Sequence, residues 1–197
     1  MKNKKTVTKK IKEIMSKFLD PARIVLGWDI KEGNYIADLG CGGGYFTIPM
    51  AKIVGQKGKI FAVDILESSL ESVRSQAYLE KLSNISYLRA DLEKKNSLEE
   101  WVKKSSCQIV LLANTLHSSS HQKTVIAEAR RLLGSSGRLI VVDWKSEKDT
   151  QLKNFGPPTD FRLNEQKIKT MINKNGFSFE KKFEAGQFHF GLIFKKQ

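Results

Sequence analysis

Four glycines in five positions follow an aspartate in the stretch DLGCGGGYFT, residues 38–47. Glycine gives up more backbone freedom on folding than any other residue, so this cluster indicates that bare backbone is needed there. A glycine-rich turn that leads into a helix lets backbone N–H groups approach a ligand closely. Asp38 places a negative charge inside the end of the preceding apolar run, which suits a ligand that carries an ammonium group. The stretch therefore predicts a ligand-binding turn.

The spacing of the glycines argues against a nicotinamide or flavin dinucleotide. The fingerprint for those cofactors is G-x-G-x-x-G, which from Gly40 requires glycine at position 45, where this chain has Tyr45. The pattern present is D-x-G-x-G-x-G, and the negative charge of a pyrophosphate would be repelled by the carboxylate of Asp38. An NAD-dependent oxidoreductase is therefore disfavoured.

Apolar runs alternate with amphipathic segments around this turn. Strands are predicted at 35–39, 59–63, 85–89, 108–113 and 138–144. Helices are predicted at about 45–54, 67–82, 98–103 and 121–133. Such β-α repetition is typical of an α/β fold, in which helices cover both faces of a parallel sheet. In such folds ligands bind beyond the carboxyl ends of the strands, where the strand order reverses.

The two ends of the chain have a different character. A helix predicted at 164–174 is followed by aromatic-rich runs at 177–183 and 187–194, which predict an antiparallel hairpin. At the other end, residues 1–10 are predicted to be disordered. A basic amphipathic helix follows from Ile11 to Leu19, and a short helix starts at Asp20-Pro21 and ends near Gly27.

Composition sets limits on the class of protein. A chain of 197 residues with 40% hydrophobic content predicts one globular domain, and no apolar run approaches the length of a membrane span. Two cysteines and no secretory signal predict a cytoplasmic protein. The net charge of +13 leaves a nucleic-acid partner open. Because residues 1–12 supply six lysines and the remaining charge is scattered, a lysine-rich solvated surface is favoured.

Five motifs in order resemble the class I methyltransferases that use S-adenosylmethionine (SAM). They are DLGCGGGYFT, FAVDI, LRADLE, LLANTLH and EARRLLGSSGRLIVVDWK, with Ser135-Ser136-Gly137 where Pro-Gly-Gly is usual. FLDPARI, GPP and FHFGLIF are similar to small bacterial and archaeal members related to the ubiquinone/menaquinone biosynthesis enzymes. The resemblance implies a Rossmann-like, doubly wound, seven-stranded sheet that is mostly parallel, in three αβα layers. It implies a methyltransferase domain at 31–197, preceded by a basic tail and cap helices at 1–30.

The resemblance also implies which residues bind SAM. Asp64 lies twenty residues after Gly44 at a predicted strand end, where a carboxylate accepts the ribose hydroxyls, although a helix N-cap is the alternative. Ile65 and Leu92 would pack on the adenine, and Asp91 would accept from its amine; a turn residue is the alternative for Asp91. The other cofactor-binding residues are predicted to be Asp38, Gly40, Cys41, Gly42, Gly44, Tyr45 and Asn114.

Few side chains are available for acid–base chemistry. His117, just past the fourth strand, is the candidate base, with a polar loop histidine as the alternative, and Asp143 follows the fifth strand. The segment Gly156–Pro158, with Arg162 downstream, is predicted to be a lid, with a plain surface loop as the alternative. Metal-dependent catechol-type methyltransferases place an acid at the end of the fourth strand and Asp-Asn after the fifth, whereas this chain has Asn114 and Asp143-Trp144, so no metal is expected.

The predicted function is methyl transfer from SAM to carbon or oxygen of a small molecule, leaving S-adenosylhomocysteine (SAH). One alternative is an RNA or protein methyltransferase that uses the lysine-rich N-terminus. Another is a non-catalytic SAM-binding module. A peripheral membrane contact is left open by the basic amphipathic helix.

Overall fold

One sheet of seven strands organises residues 19–146 and 156–197, the parts of the chain that this computed structural model describes. The strands are β1 (Tyr35–Leu39), β2 (Lys59–Asp64), β3 (Ile85–Arg89), β4 (Cys107–Ala113), β5 (Leu133–Trp144), β6 (Phe177–Glu184) and β7 (His189–Lys196). Their order in the sheet is β3-β2-β1-β4-β5-β7-β6. The first five strands are parallel, and β7 is antiparallel to both β5 and β6.

Helices lie on both faces of this sheet. They are α1 (Pro21–Val25), α2 (Thr47–Val54), α3 (Glu67–Leu79), α4 (Gln122–Leu132) and α5 (Glu165–Asn173), with 3-10 turns at Leu26–Trp28 and Thr159–Phe161. Apolar residues of α1, α2 and α3 share one buried cluster with the sheet, and those of α4 and α5 share another. The doubly wound, three-layer α/β fold predicted from the sequence is thereby confirmed.

The strand order reverses at β1, which lies between β2 and β4. The chain builds β2 and β3 outward on one side of β1 and then returns to place β4 on the other side. The loops that follow β1 and β4 therefore diverge from neighbouring strand ends, which opens a crevice at the carboxyl edge of the sheet. The glycine turn, Asp64 and Asn114 all stand at that edge.

The carboxyl-terminal hairpin closes the other side of the sheet. Strand β7 pairs with β5 from Arg138↔Lys195 to Trp144↔His189, so that the final strand lies inside the sheet and β6 forms its edge. The predicted antiparallel hairpin is confirmed. Its position brings His189 beside the carboxyl end of β5.

The start of the described chain is anchored to this core. Asp20 caps α1 by accepting a hydrogen bond from the Arg23 backbone N–H at 3.2 Å, and Pro21 opens the helix, as predicted. Trp28 is buried, with its ring centroid 5.3 Å from that of Phe46 and 5.8 Å from that of Phe183. The predicted tail at 1–10 and most of the helix at 11–19 lie outside the described residues.

Several predicted bounds are wrong. Residues 98–103 form turns, because only one bond of the α-helical type closes there, from the Val102 N–H to the Leu98 carbonyl at 2.9 Å, and such a short run cannot sustain a helix. Helix α3 ends at Leu79 and not at 82, since Lys81 adopts a left-handed backbone with φ 55°. Strand β5 begins at Leu133 and not at Arg138, with a register shift opposite Cys107–Ile109.

Candidate active site

The glycine turn after β1 has the backbone conformation that its sequence predicts. Gly40, Gly42 and Gly44 have φ values of 78°, 50° and 86°, a left-handed region that other residues rarely adopt. A Cβ atom on Gly40 would lie 2.7 Å from the Thr115 hydroxyl, whereas one on Gly42 would meet none of the described atoms within 4 Å. Gly40 is therefore required by packing, and Gly42 faces open space.

Asp38 is a buried carboxyl group, and the described residues provide a hydrogen-bond donor to only one of its two oxygens. Its Oδ2 accepts a hydrogen bond from the Thr47 hydroxyl at 2.6 Å. Its Oδ1 is buried and has no partner among the described residues. Burial raises the pKa of Asp38 to about 7, and the nearby carboxylate of Asp64 adds to the effect, while the Thr47 hydrogen bond opposes it.

This burial gives a testable dependence of stability on pH. The folded protein holds the Asp38 proton more tightly than the unfolded chain, whose pKa is near 3.8. The protonated Asp38 side chain therefore contributes its full stabilisation of the fold below pH 3.8, and this contribution is lost as the pH rises to about 7. The free energy of unfolding falls by up to about 4 kcal/mol over this range, since one pKa unit corresponds to about 1.4 kcal/mol.

Urea unfolding of the ligand-free protein at a series of pH values, compared with Asp38→Asn, measures this effect. Burial lowers the pKa of His189 to about 4, which makes the free energy of unfolding rise with pH. Because this contribution is the same in both proteins, the difference between them isolates Asp38. The exposed Asp160→Asn is the matched control and should follow the wild type. Parallel pH profiles for wild type and Asp38→Asn would contradict the prediction.

Asp64 joins the glycine turn to the end of β2. Its Oδ2 accepts a hydrogen bond from the Gly42 N–H at 2.9 Å, and its Oδ1 accepts one from the Leu66 N–H at 3.0 Å. The alternative role as a helix N-cap is wrong, because α3 begins at Glu67 with Leu66 in the N-cap position. The carboxylate instead shapes the ligand-binding edge.

A cavity of about 410 Å³ opens beside Asp64. Twelve described residues from the loops after β1, β2, β3 and β4 and from α4 line it: Gly40, Asp64, Ile65, Ala90, Asp91, Leu92, Glu93, Asn114, Thr115, Ser118, Ser119 and Val125. Asn114 has a left-handed backbone with φ 56°, and its buried Oδ1 has no partner among the described residues. Asp91 Oδ1 accepts a hydrogen bond from the Glu93 N–H at 3.0 Å.

A histidine and an aspartate are paired at the ends of β4 and β5. His117 Nδ1 lies 2.9 Å from Asp143 Oδ1, and the His117 N–H donates to Asp143 Oδ2 at 3.3 Å. Asp143 is fully buried, and the Trp144 N–H also donates to it at 2.8 Å. This pair has the geometry of a base oriented by a carboxylate, with the second ring nitrogen of His117 left for a ligand.

Comparison with known proteins decides what this site belongs to. A family model described as a methyltransferase domain matches residues 30–176 of the chain. The chain belongs to this methyltransferase family. The carboxyl edge of its sheet is thus the candidate active site of a methyltransferase, with the glycine turn on one side and the His117–Asp143 pair on the other.

Individual relatives agree with the family assignment. The chain is 26% identical over 169 residues to "Ubiquinone/menaquinone biosynthesis C-methyltransferase UbiE" of Psychromonas ingrahamii, over 85% of this chain and 65% of that protein. It is 32% identical over 72 residues to "23S rRNA (uracil(1939)-C(5))-methyltransferase RlmD" of Acinetobacter baumannii, over 36% of this chain and 16% of that protein. The chain thus spans less than two thirds of the length of these relatives.

The fold has a solved counterpart. The structure of a SAM-dependent methyltransferase from Aquifex aeolicus superposes with a TM-score of 0.81 at 23% identity, over 96% of this chain and 98% of that one. The chain belongs to the class I SAM-dependent methyltransferase family and is similar to UbiE, as its motifs indicate.

Some predicted site residues of the methyltransferase lie away from the 410 Å³ cavity. Cys41 is buried, and burial raises the pKa of its thiol above the ordinary range, so it is an inert packing residue. Tyr45 is 74% exposed and lines a separate groove with α1 and α2. Arg162 is buried, and its guanidinium donates to the carbonyls of Pro157 at 2.9 Å and Lys145 at 3.2 Å.

The place of some other residues in the methyltransferase site was not predicted from the sequence. Thr47, which donates a hydrogen bond to Asp38, is the last residue of the DLGCGGGYFT motif, so its position was readable but its contact with Asp38 was not. Glu93 stands in the LRADLE motif only two residues after Asp91, so its position near the cavity was readable but its contacts were not. His189 is buried against Trp144, with ring centroids 4.0 Å apart, and neither of its nitrogens has a partner among the described residues.

Two features of the described ranges concern metal binding and membrane insertion. No group of three or more His, Cys, Asp or Glu side chains there is placed to hold a metal ion, and the expectation of a metal-free enzyme stays a prediction. Among the helices at 19–146 and 156–197, none has the length and apolar character needed to cross a bilayer.

Proposed function

We propose that this enzyme transfers the methyl group of SAM to an oxygen or carbon of a small-molecule acceptor, with His117 as the base that removes the acceptor's proton. The observation that carries the proposal is the 2.9 Å contact between His117 Nδ1 and Asp143 Oδ1 at the carboxyl edge of the sheet. A pair of this kind is needed only if the acceptor loses a proton, as a hydroxyl or an acidic carbon does.

The residues at the carboxyl edge fit SAM. Bound SAM supplies a methyl group that its sulfonium has already activated. The unpartnered oxygens of Asp38 and Asn114 are two buried acceptors near the glycine turn, and the ammonium of the methionine end supplies the donors that they lack. The backbone turn Gly40–Gly44 leaves room for that end of the molecule, since Gly42 faces open space.

The ribose and adenine have their own residues in this proposal. Asp64 already accepts two backbone N–H groups, but a carboxylate has about four acceptor positions, so it retains capacity for the ribose hydroxyls. Ile65 and Leu92 line the 410 Å³ cavity and provide apolar contacts for the adenine. Asp91 lines the same cavity and would accept from the adenine amine.

His117 acts through its free ring nitrogen. Because Asp143 accepts from Nδ1–H, the neutral imidazole carries its lone pair on Nε2. That nitrogen takes the proton, and the buried carboxylate of Asp143 stabilises the imidazolium that forms. Asp143 is therefore a positioning residue, held by the backbone N–H groups of His117 and Trp144.

Arg162 holds the candidate lid in place. It ties the carbonyls of Pro157 and Lys145 together, and its guanidinium lies 5.5 Å from the centroid of the Trp144 ring. A Cβ atom on Gly156 would lie 2.7 Å from atoms of the Trp144 ring, so this segment packs closely on the tryptophan. We assign Arg162 a positioning role beside the His117–Asp143 pair instead of direct contact with the reacting atoms.

A second cavity is the candidate acceptor site. It measures about 590 Å³ and is lined by residues of α1, the end of β5 and the β6–β7 hairpin, among them Arg23, Trp28, Lys145, Phe183 and Glu184. The mixture of aromatic and charged groups suits a small molecule with both apolar and polar parts. The similarity to UbiE, whose name states C-methylation, supports the same class.

An RNA acceptor is the second candidate, because a specific surface favours it. Two adjoining grooves on α4 and α5 share Lys123 and Asn175, and they also carry Lys95, Lys167 and Lys174. Their one acidic residue, Glu128, is buried and paired with Arg131 at 2.7 Å. The relation to RlmD over 72 residues points the same way. The affinity for RNA bound there would fall steeply as the salt concentration rises.

Methyl transfer from labelled SAM into an extract of the source cell tests these candidates. After fractionation, label in small molecules or lipids is the expected result, and label in RNA or protein would overturn the proposal. Binding of SAM without transfer to any fraction would support a non-catalytic binding module. Label in the lipid fraction alone would indicate contact with a membrane surface.

The proposal places the reaction in the cytoplasm. Both cysteines are free and buried, which suits a reducing compartment. Fractionation of source cells followed by immunoblotting tests this placement, and recovery from an oxidising compartment would contradict it.

A further inference from the structure

Glu93 holds together two loops at the mouth of the cofactor cavity. Its Oε1 accepts hydrogen bonds from the Ser119 hydroxyl at 2.8 Å and the Ser120 N–H at 2.7 Å, and its Oε2 lies 2.8 Å from His121 Nδ1. These four residues are called the Glu93 clasp. All three contacts cross from the loop after β3 to the loop after β4.

The clasp spans the site from one side to the other. Strands β3 and β4 are separated by β2 and β1 in the sheet, a distance of about 14 Å for three strand spacings. Only loops that extend beyond the strand ends can meet across that distance. Since Glu93 and Ser119 both line the 410 Å³ cavity, their contact forms part of its wall.

Local geometry prepares Glu93 for this contact. The Asp91 carboxylate accepts from the Glu93 N–H at 3.0 Å and so fixes the turn from which Glu93 projects. On the other loop, the Ser119 hydroxyl also accepts from the His121 N–H at 3.1 Å, which orients its own hydrogen toward Glu93. His121 is the N-cap residue of α4, so the carboxylate lies near the positive end of that helix dipole.

The charge of the clasp persists under physiological conditions. The contacts from His121, Ser119 and Ser120 lower the pKa of Glu93 to about 2, so the side chain is a carboxylate at any pH at which the protein works. The side chains of Glu93 and His121 are 35% and 64% exposed, so solvent screens the pair and its contribution to overall stability is small. A contact that adds little stability but closes a cavity wall points to a role in ligand exchange.

We infer that the Glu93 clasp retains the bound cofactor by closing the cavity on its adenine side, and that its opening sets the rate at which SAH leaves. Glu93 is a positioning residue in this scheme, since it acts through the two loops. The inference rests on the proposed binding of SAM at this cavity. It requires no knowledge of the methyl acceptor.

The test measures dissociation of SAH from the full-length protein by stopped-flow displacement with excess SAM. Glu93→Ala should release SAH about tenfold faster than the wild type, the effect of losing one charge-assisted hydrogen bond of modest strength. Ser119→Ala removes one of the three contacts and should accelerate release by a smaller factor. Glu100→Ala, an exposed glutamate farther along the same loop, is the matched control and should match the wild type.

The results separate this inference from the proposed function. If the wild type binds neither SAM nor SAH, the proposed function fails first. If the wild type binds SAH and Glu93→Ala releases it within twofold of the wild-type rate, or more slowly, the clasp has no role in retention and the inference is overturned. Equal melting temperatures of the ligand-free proteins would exclude unfolding as the cause of faster release, and Ser119→Ala decides the question if Glu93→Ala does not fold.

Discussion

Replacement of His117 with alanine is expected to lower kcat by about 10²- to 10⁴-fold, the range for loss of a general base. The affinity for SAM should stay within about twofold of wild type, because His117 is absent from the described lining of the 410 Å³ cavity. The physical reason is that the acceptor's proton would then have to leave to water, without a neighbouring base. The rate is measured as transfer of label from SAM into the extract fraction that the wild type methylates.

Two further measurements separate a catalytic role of His117 from a structural one. Free imidazole should partly restore activity to His117→Ala, since it can occupy the space left by the side chain and accept the proton. Asp143→Asn should lower kcat as well, because the amide can donate to Nδ1 and so favours the wrong tautomer of His117. Unchanged turnover in His117→Ala would contradict the assignment of a base and would indicate an acceptor that needs no deprotonation.

Replacement of Asp64 with alanine is expected to weaken SAM binding by about 2–3 kcal/mol, roughly 30- to 150-fold, the range for losing partners of charge-assisted hydrogen bonds. Two losses combine in this variant: the acceptor for the ribose hydroxyls, and the anchor that holds the Gly42 N–H at 2.9 Å and the Leu66 N–H at 3.0 Å. Isothermal titration calorimetry with SAM measures the change.

The matched control for Asp64 is Asp29→Ala. Asp29 is an exposed aspartate paired with Lys31. Its backbone carbonyl accepts a hydrogen bond from the Arg138 guanidinium in β5, so Asp29 lies away from the carboxyl edge of the sheet. Its removal should leave SAM affinity unchanged. Wild-type affinity in Asp64→Ala would show that the carboxylate only shapes the turn and makes no contact with the ribose.

Much of the fold could be predicted because its signals are local. The bounds of β1 and β3 match the predicted bounds residue for residue, since each is a short strand between turn residues; β1 is buried over four of its five residues, whereas β3 is buried only at Ile85. The final hairpin was predicted from two aromatic-rich runs around a short turn, and β6 and β7 confirm it. The failure at 98–103 has the opposite cause: Leu98 and Val102 are buried by neighbouring elements, so their spacing reflects packing and not a helix.

The sequence by itself determined the order of strands and helices, the glycine turn with Asp38 before it, and the methyltransferase family, because these depend on residues close together in the chain. Only the tertiary structure decided which distant residues meet. His117 and Asp143 are 26 positions apart, and Glu93 and His121 are 28 apart, and the sheet order joins each pair. Burial likewise left Asp38 with an unpartnered oxygen, which no local pattern of residue types encodes.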